Sequence, residues 1–269
     1  MSLKFTILGC GSSMGVPRVA LGWGDCDPNE PKNRRRRCAL LVEQTGPEGV
    51  TRVLIDAGPD LREQLIDANV DWIDAVLITH EHADHTHGLD DLRPLFVKKR
   101  RQVDIWLDEP TSVSLRARFD YCFRTPPNST YPPILLEHRL VAGMPITVQG
   151  EGGPLSILPI LQDHGEIASL GFRFGNVAYS TDLKRLPEES VAALAGLDVW
   201  IVDALRKAPH PSHFNLEESL DWIGRIKPKR AILTDMHTDL DYQTLKKTLP
   251  AGIEPGFDGM QFATDADAI

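Results

Sequence analysis

The sequence has no long apolar segment, because no uninterrupted hydrophobic run reaches the roughly 18 residues needed to cross a bilayer. Residues 1–13 also lack the basic stretch, apolar core and small-residue cleavage site of a secretory signal. Positive charge is in deficit, with 29 Lys and Arg against 38 Asp and Glu and a formal net charge of -9. We therefore expect a cytoplasmic protein with neither a membrane partner nor a stable nucleic-acid partner.

Cysteine is also scarce. The four cysteines are Cys10, Cys26, Cys38 and Cys122, and no two of them form a Cys-x-x-Cys pair. This spacing does not indicate a disulfide framework. A chain of 269 residues that is 42% apolar can bury a core without one. We interpret the cysteines as reduced thiols, most of them structural.

The chain shows no repeat, low-complexity tract or long linker, which predicts a single domain over residues 1–269. Short apolar runs rich in β-branched residues predict strands at 5–8, 39–42, 52–55, 75–78, 104–107, 146–148, 155–160, 171–174, 177–179, 199–202 and 230–233. Apolar residues at three-to-four spacing predict helices at 60–68, 89–96, 111–121, 187–195, 215–226 and 241–248. Strands interspersed with helices indicate layers of sheet covered by helix.

Potential metal ligands are concentrated directly after one predicted strand. The run at 75–78 leads into Thr79-His80-Glu81-His82-Ala83-Asp84-His85. Ligands this close together point in different directions on a helix or strand, whereas a loop folded around cations can use all of them. His80 and His82 could share one ion while Asp84 and His85 turn toward a second. The alternative is a solvated, histidine-rich loop.

Three further candidates follow later strands. His164, Asp182 and His237 each stand shortly after an apolar run. Taken singly, either histidine could be an ordinary loop residue and Asp182 could be a helix N-cap. Taken together, they complete a dinuclear site, in which Asp182 would bridge two divalent ions that acidify a shared water into a hydroxide nucleophile. Zn²⁺, Mn²⁺ and Fe²⁺ all suit such ligands.

This pattern resembles the metallo-β-lactamase superfamily, which implies an α+β fold, namely a four-layer αββα sandwich. Within it, four segments resemble the phosphoribosyl 1,2-cyclic phosphate phosphodiesterases of phosphonate catabolism. They are Gly9–Pro17, Asn33–Arg37, His213–Leu216 and Gly256–Met260. The resemblance implies a phosphodiesterase with two divalent ions, Zn or Mn, and allows a homodimer.

Two departures from that subgroup affect the predicted ligands. Its members hold a structural zinc with clustered early cysteines, whereas Cys26 here has no neighbouring cysteine, so we predict that this zinc is absent. Its members also place a ligand histidine directly after the threonine equivalent to Thr234, where this chain has Asp235. We favour His237 reaching the metal from a shifted turn, with Asp235 as the alternative ligand.

His213 is not needed to complete the metal ligands, and the resemblance implies that it acts on the phosphate side of the site. An imidazole that titrates near neutrality can supply the proton that a departing alkoxide needs. His210 is a rival, although its flanking prolines are typical of an extended loop. Asp56 is expected to orient a ligand histidine, since carboxylates commonly do so, or else to be a turn-forming residue.

The basic run Arg34–Arg37 could contact phosphate, because guanidinium groups match phosphate oxygens well. We name Arg35 and Arg37 as candidate substrate-binding residues. The alternative is that the run forms a solvated, flexible face.

The leading hypothesis is hydrolysis of a small or cyclic phosphodiester by attack of a metal-bridging hydroxide, with Asp84 and His213 as catalytic residues. Alternatives are tRNA 3′ processing of the ribonuclease Z type and thioester hydrolysis of the glyoxalase II type. Outside the enzymes, the chain could be a regulator that binds a metal or a nucleotide.

Overall fold

The predicted strands form two mixed sheets that pack face to face. The structure, a computed structural model, describes residues 2–265. Within that range the strands are β1 Ser2–Gly9, β2 Ala39–Thr45, β3 Val50–Ile55, β4 Ala75–Leu77, β5 Val103–Leu107, β6 Leu135–Arg139, β7 Ile146–Val148, β8 Leu155–His164, β9 Ile167–Phe174, β10 Val177–Ser180, β11 Val199–Asp203, β12 Arg230–Thr234, β13 Ile253–Pro255 and β14 Gln261–Asp265. The helices there are α1 Leu61–Asp67, α2 Ala83–Thr86, α3 Arg93–Lys99, α4 Glu109–Phe123, α5 Glu188–Ala193, α6 Leu216–Ile226 and α7 Tyr242–Thr248.

The two sheets have seven strands each. Their orders are β14-β1-β2-β3-β4-β5-β6 and β13-β12-β11-β10-β9-β8-β7. Helices flank both sheets, which confirms the predicted α+β sandwich. The predicted domain also included residue 1 and residues 266–269, which lie outside the described part of the chain. None of the helices among the described residues combines the length and apolar character needed to cross a membrane.

Side chains that alternate between the two faces of each strand produce the layers. Val53 and Ile55 on β3 belong to the core that joins the two sheets, whereas Leu54 between them belongs to the core beneath the helices on the outer face. Successive strand residues point to opposite faces, so a strand buried on both sides is apolar throughout. Phe5 and Phe174 connect the sheets through an edge-to-face contact with ring centroids 5.9 Å apart.

The parallel strands determine where the site forms. β3 and β4 are parallel neighbours in one sheet, and β10, β11 and β12 are parallel neighbours in the other. Parallel neighbours end at the same edge of a sheet, so the segments that follow them meet there. Asp56, Thr79, Asp182, Asp203 and Asp235 all lie at or just beyond these strand ends.

All predicted strands coincide with observed strands, but β6, β13 and β14 were not predicted. β6 carries Glu137, His138 and Arg139, and β13 has only three residues, so neither shows a clear apolar pattern. The ligand run was predicted as a loop, and this is wrong for its second half. His82 is extended, and Ala83–Thr86 then form one helical turn, α2, which contains Asp84 and His85.

Candidate metal centre

The segment after β4 brings three imidazoles into one cluster, in which His82 is the exposed member. The ring centroid of His80 lies 4.5 Å from that of His82 and 4.4 Å from that of His85. His80 and His85 are almost fully buried. Thr79 places a hydroxyl 3.0 Å from Nδ1 of His80, so Nε2 is the ring nitrogen that faces the cluster.

A first group of potential ligands surrounds a common centre. It consists of His80, His82, His164 and Asp182, each offering one ligand atom within 4.8 Å of the others. His164 is held by a 2.7 Å hydrogen bond between its Nδ1 and the carbonyl of Ser212. The carbonyl can only accept, so Nδ1 carries the proton and Nε2, which lies 3.4 Å from Nδ1 of His82, presents its lone pair to the cluster.

Asp182 also connects this group to His85. Oδ1 of Asp182 lies 3.6 Å from Nε2 of His80, and Oδ2 lies 3.1 Å from Nε2 of His85. Asp84 lies on the other side of His85, with 3.3 Å between its Oδ2 and the same Nε2. The two oxygens of Asp182 therefore face two neighbouring sets of side chains, as a bridging carboxylate requires.

Asp56 orients His85 from the sheet behind it. Its Oδ2 accepts a 2.7 Å hydrogen bond from Nδ1 of His85, and its Oδ1 accepts one of 2.8 Å from the amide of Thr79. This contact fixes the proton of His85 on Nδ1 and leaves Nε2 as the acceptor. The structure thus places Asp56 in the position expected of an orienting carboxylate.

A second group lies beside Asp182. Asp182, His213 and Asp235 offer ligand atoms within 4.8 Å of one another. Nδ1 of His213 hydrogen bonds to Oδ2 of Asp203 at 3.0 Å, and Oδ2 of Asp235 lies 3.0 Å from the same nitrogen without a hydrogen bond. Burial lowers the pKa of an imidazole, but Asp203 and Asp235 outweigh it and raise the pKa of His213 to about 12.

His237 differs from the expectation. Among the described residues it belongs to neither group, and its Nδ1 lies 3.5 Å from Oδ1 of Asp239. Asp235 takes the inner place because its backbone is left-handed, with φ 59°, which turns the chain directly after β12. Asp56 and Asp182 share this conformation, with φ of 65° and 51°. Left-handed backbone outside glycine is strained and is concentrated at functional sites.

These residues fit a bound cation. Nε2 of His80, Nε2 of His85 and Oδ2 of Asp235 are buried and have no hydrogen-bond partner among the described residues. Burial and the charge of Asp182 raise the pKa of Asp235 well above its usual range, as expected of crowded carboxylates. Imidazole and carboxylate donors suit divalent ions such as Zn²⁺ and Mn²⁺. The cluster is therefore able to bind metal ions.

The structure contradicts the predicted substrate contact of Arg35. Arg35 is 2% exposed, and its guanidinium donates to the carbonyls of Leu240 and His237 at 2.7 and 3.2 Å. The five N–H donors of a guanidinium can hydrogen bond to several carbonyls at once, which explains why this side chain is buried. Arg37 is paired with Asp60 at 2.9 Å and faces a separate cleft on the other side of the loop at 14–18. It does not line the metal cavity.

The cavity above the cluster has a volume of about 280 Å³. It is lined by Ser12, Ser13, Met14, Arg18, His82, Asp84, His164, Asp182, Leu205, Arg206, His210, Ser212, His213 and His237. Sequence reasoning did not identify Arg18, Arg206 or Asp203 as functional. Asp203 is the last residue of an apolar strand, and Asp182 and Asp235 lie just beyond the ends of two others. This shared position is the sequence signal that could have identified Asp203.

The fold and the His/Asp cluster define the class of protein. A model of the β-lactamase superfamily domain matches residues 51–236, and the chain belongs to that superfamily. The predicted resemblance is thereby confirmed at this level.

Two solved structures are similar to this chain over nearly its whole length. A solved diphosphatase of the PhnP family is 35% identical, covers 98% of both chains and superposes with a TM-score of 0.88. This similarity is consistent with the predicted subgroup. Zn²⁺-bound PqqB from Methylobacterium extorquens is 18% identical, with a TM-score of 0.72 over 96% of this chain and 99% of its own, which shows a shared fold.

Two curated relatives are longer than this chain. An octanoyltransferase of Porphyromonas gingivalis (strain ATCC BAA-308 / W83) is 33% identical over 99% of this chain and 53% of its own length. A ribonuclease Z of Salinibacter ruber (strain DSM 13855 / M31) is 30% identical over 61% of this chain and 48% of its own. The chain thus spans about half the length of each.

The variant Asp56→Asn tests the orienting role of that carboxylate. We expect metal affinity to fall by about 10- to 100-fold, because the proton on Nδ1 of His85 would lose its charged acceptor. Calorimetric titration of metal-free protein with Mn²⁺ or Zn²⁺ measures this. Asp67→Asn is the control, since Asp67 is exposed and pairs with Arg36 away from the cluster. Unchanged affinity in Asp56→Asn would contradict the role.

Proposed function

We propose that this protein is a metal-dependent phosphodiesterase that acts on a small or cyclic phosphodiester. The observation that carries the proposal is the placement of His213 beside Asp182 in a cavity of about 280 Å³ above the His/Asp cluster. Such a cavity admits a small molecule and brings an imidazole to the ester that the cluster would hold. The similarity to a diphosphatase of the PhnP family over 98% of the chain supports phosphoryl chemistry.

We assign the ligands of two divalent ions from these contacts. The first ion would be held by His80, His82, His164 and Asp182. The second would be held by Asp84, His85, Asp182 and Asp235. The second set contains three carboxylates, whose oxygens are harder ligands than imidazole nitrogens. This favours Mn²⁺ at the second set relative to the first. When bound, the ions would neutralise phosphate charge and acidify water.

His213 would serve the leaving group. Asp203 accepts a hydrogen bond from its Nδ1, which fixes the ring and leaves Nε2, 3.8 Å from Oδ1 of Asp182, on the cavity side. The carboxylate of Asp203 favours the protonated ring, and Nε2–H can then donate to a departing alkoxide oxygen. Asp203 is the positioning residue, and His213 is the catalytic residue.

Metal-dependent turnover tests the proposal directly. Protein loaded separately with Zn²⁺ and Mn²⁺ is assayed with bis(p-nitrophenyl) phosphate, a 2′,3′-cyclic nucleotide, ribosyl 1,2-cyclic phosphate and a glutathione thioester. We expect hydrolysis of the phosphodiesters alone, lost on chelation. Turnover of only the thioester would indicate a thioesterase, and no turnover would favour a binding protein.

The same assay tests the role of His213. His213→Ala should lower kcat by about 10²- to 10⁴-fold while metal content stays at the wild-type level, because the proton donor is removed and the ligands are kept. His87→Ala is the matched control, since His87 follows the ligand run but is exposed, hydrogen bonds to the carbonyl of Ala83 and packs against Phe119. Loss of metal from His213→Ala would show that the imidazole is a ligand instead.

A second pair of variants separates the two candidates for the last ligand. Asp235→Ala should reduce the bound metal from two ions per chain toward one, because Asp235 faces Asp182. His237→Ala should retain both ions, because its ring contacts Asp239 outside the two groups. Elemental analysis after dialysis measures metal content. The reverse pattern would restore His237 as the ligand.

A further inference from the structure

Two neutral polar side chains are fully buried where β8 and β9 approach the cluster. Gln162 on β8 and Ser169 on β9 stand opposite each other in the antiparallel ladder, and neither is exposed to solvent. Alternation along β8 places Gln162 on the same face as Ile160, a core residue, and His164, a potential ligand. Burying polar groups costs free energy unless they are hydrogen-bonded, so the partners of this pair indicate its role.

The backbone beside this pair leaves the sheet. β9 pairs with residues Val177–Tyr179 of β10, and the ladder between these two strands ends there. The amide of Leu170 on β9 donates instead to the carbonyl of Thr79, at the start of the ligand run, at 2.9 Å. Thr181 and Asp182 therefore lie beyond the last strand pair with β9, and their buried carbonyl groups need other donors.

The pair supplies these donors. Nε2 of Gln162 donates to the carbonyl of Thr181 at 2.9 Å and to Oγ of Ser169 at 3.1 Å. Oγ of Ser169 in turn donates to the carbonyl of Asp182 at 2.7 Å. A carbonyl can only accept, so these directions are fixed, and hydrogen bonds in a buried chain strengthen one another. The pair therefore holds the two peptide groups on either side of the Cα atom of Asp182.

These two peptide groups determine the direction of the Asp182 side chain. Each peptide group is planar, so the two orientations set φ and ψ at the Cα atom between them. Asp182 has φ 51°, a left-handed conformation that persists only where the surroundings hold it. Its carboxylate places Oδ1 3.6 Å from Nε2 of His80 and Oδ2 3.1 Å from Nε2 of His85. A relaxed backbone would turn one oxygen away from its set of ligands.

Gly171 on β9 makes room for the amide. A Cβ atom at this position would overlap Oε1 of Gln162 and lie 3.0 Å from the carbonyl oxygen of Tyr179. Protein interiors are close-packed, so a larger residue here would displace the glutamine side chain. The neighbouring strand thus provides the space that Gln162 occupies.

We propose that Gln162 and Ser169 are positioning residues of the metal centre, because they hold Asp182 in the conformation that directs its two oxygens toward two ions. The inference rests on the two-ion site of the proposed function, and it adds two residues that belong to neither set of ligands. Removing a group that orients a ligand commonly changes metal affinity by about 10- to 100-fold.

The variant Gln162→Met tests the glutamine. It nearly keeps the length of the side chain and removes both hydrogen bonds that Nε2 donates. We expect the Kd for Mn²⁺ or Zn²⁺ to rise by about 10- to 100-fold in calorimetric titrations of metal-free protein. Gln44→Met is the matched control, since buried Gln44 on β2 donates to the carbonyls of Gly152 and Pro154 at 3.0 and 3.1 Å. The control should lose stability and keep its metal affinity.

The variant Ser169→Ala is a milder change, and it decides the test if Gln162→Met does not fold. It removes only the hydroxyl that donates to the carbonyl of Asp182, and the same titrations should show weaker metal binding. Ser190→Ala is its control, since the buried hydroxyl of Ser190 donates to the carbonyl of Leu161 at 2.6 Å. That variant should bind metal as the wild type does.

Hydrogen exchange provides a readout that needs neither metal nor turnover. The amide of Leu183, directly after the turn, donates to Oδ2 of Asp203 at 2.9 Å, so its exchange rate reports how often the turn opens. In metal-free protein this amide should exchange faster in Gln162→Met and Ser169→Ala than in the wild type or either control.

The outcomes separate this inference from the proposed function. Unchanged Kd values in Gln162→Met and Ser169→Ala, or equal losses in the two controls, would overturn the positioning role even if phosphodiesters are hydrolysed. If the wild type binds two ions and only the two test variants lose affinity, but no phosphodiester is hydrolysed, the proposed function fails and the positioning role stands.

Discussion

The burial of Asp182 is the constraint on which the rest of the site depends. This carboxylate lies at the end of β10, and its two oxygens face His80 on one side and His85 on the other. Burial raises the pKa of a carboxyl group, but these imidazoles outweigh it and hold the pKa of Asp182 well below its usual range. A buried charge is tolerated only when it is paired and hydrogen-bonded, so the surrounding histidines must be positioned accurately.

The fold provides that positioning through strand ends. Parallel neighbours in each sheet terminate at one edge, so side chains far apart in the sequence meet there without long connecting loops. The same edge carries Asp56, which fixes the proton of His85, and Asp203, which fixes that of His213. Each ring is thus oriented by a group outside the cluster. Among the described residues, Nε2 of His80, Nε2 of His85 and Oδ2 of Asp235 have no hydrogen-bond partner, which suits them to a bound cation.

Much of this could be predicted from sequence because the signals were local. An apolar run followed directly by His80, His82, Asp84 and His85 indicates both a strand and its functional end, and the same reasoning led to His164 and Asp182. The choice between Asp235 and His237 could not be made, because it depends on a left-handed turn that spacing does not reveal. Arg35 was placed at the substrate because its partners, carbonyls about 200 positions later, are invisible in a local pattern.

The cationic part of the cavity was missed for a similar reason. Arg18 and Arg206 stand in separate loops of the sequence, and only the fold shows that both line the metal cavity.

Divalent cations should stabilise the protein by neutralising the crowded charge of the buried carboxylates. Thermal unfolding with and without metal tests this most directly. Ions that bind only the native state at 1,000 times their Kd add about 4 kcal/mol of stability. We expect a clear rise in Tm on adding Mn²⁺ or Zn²⁺ to metal-free protein, and a much smaller rise for Asp182→Ala. An equal Tm with and without metal, or an equal rise in that variant, would contradict the account.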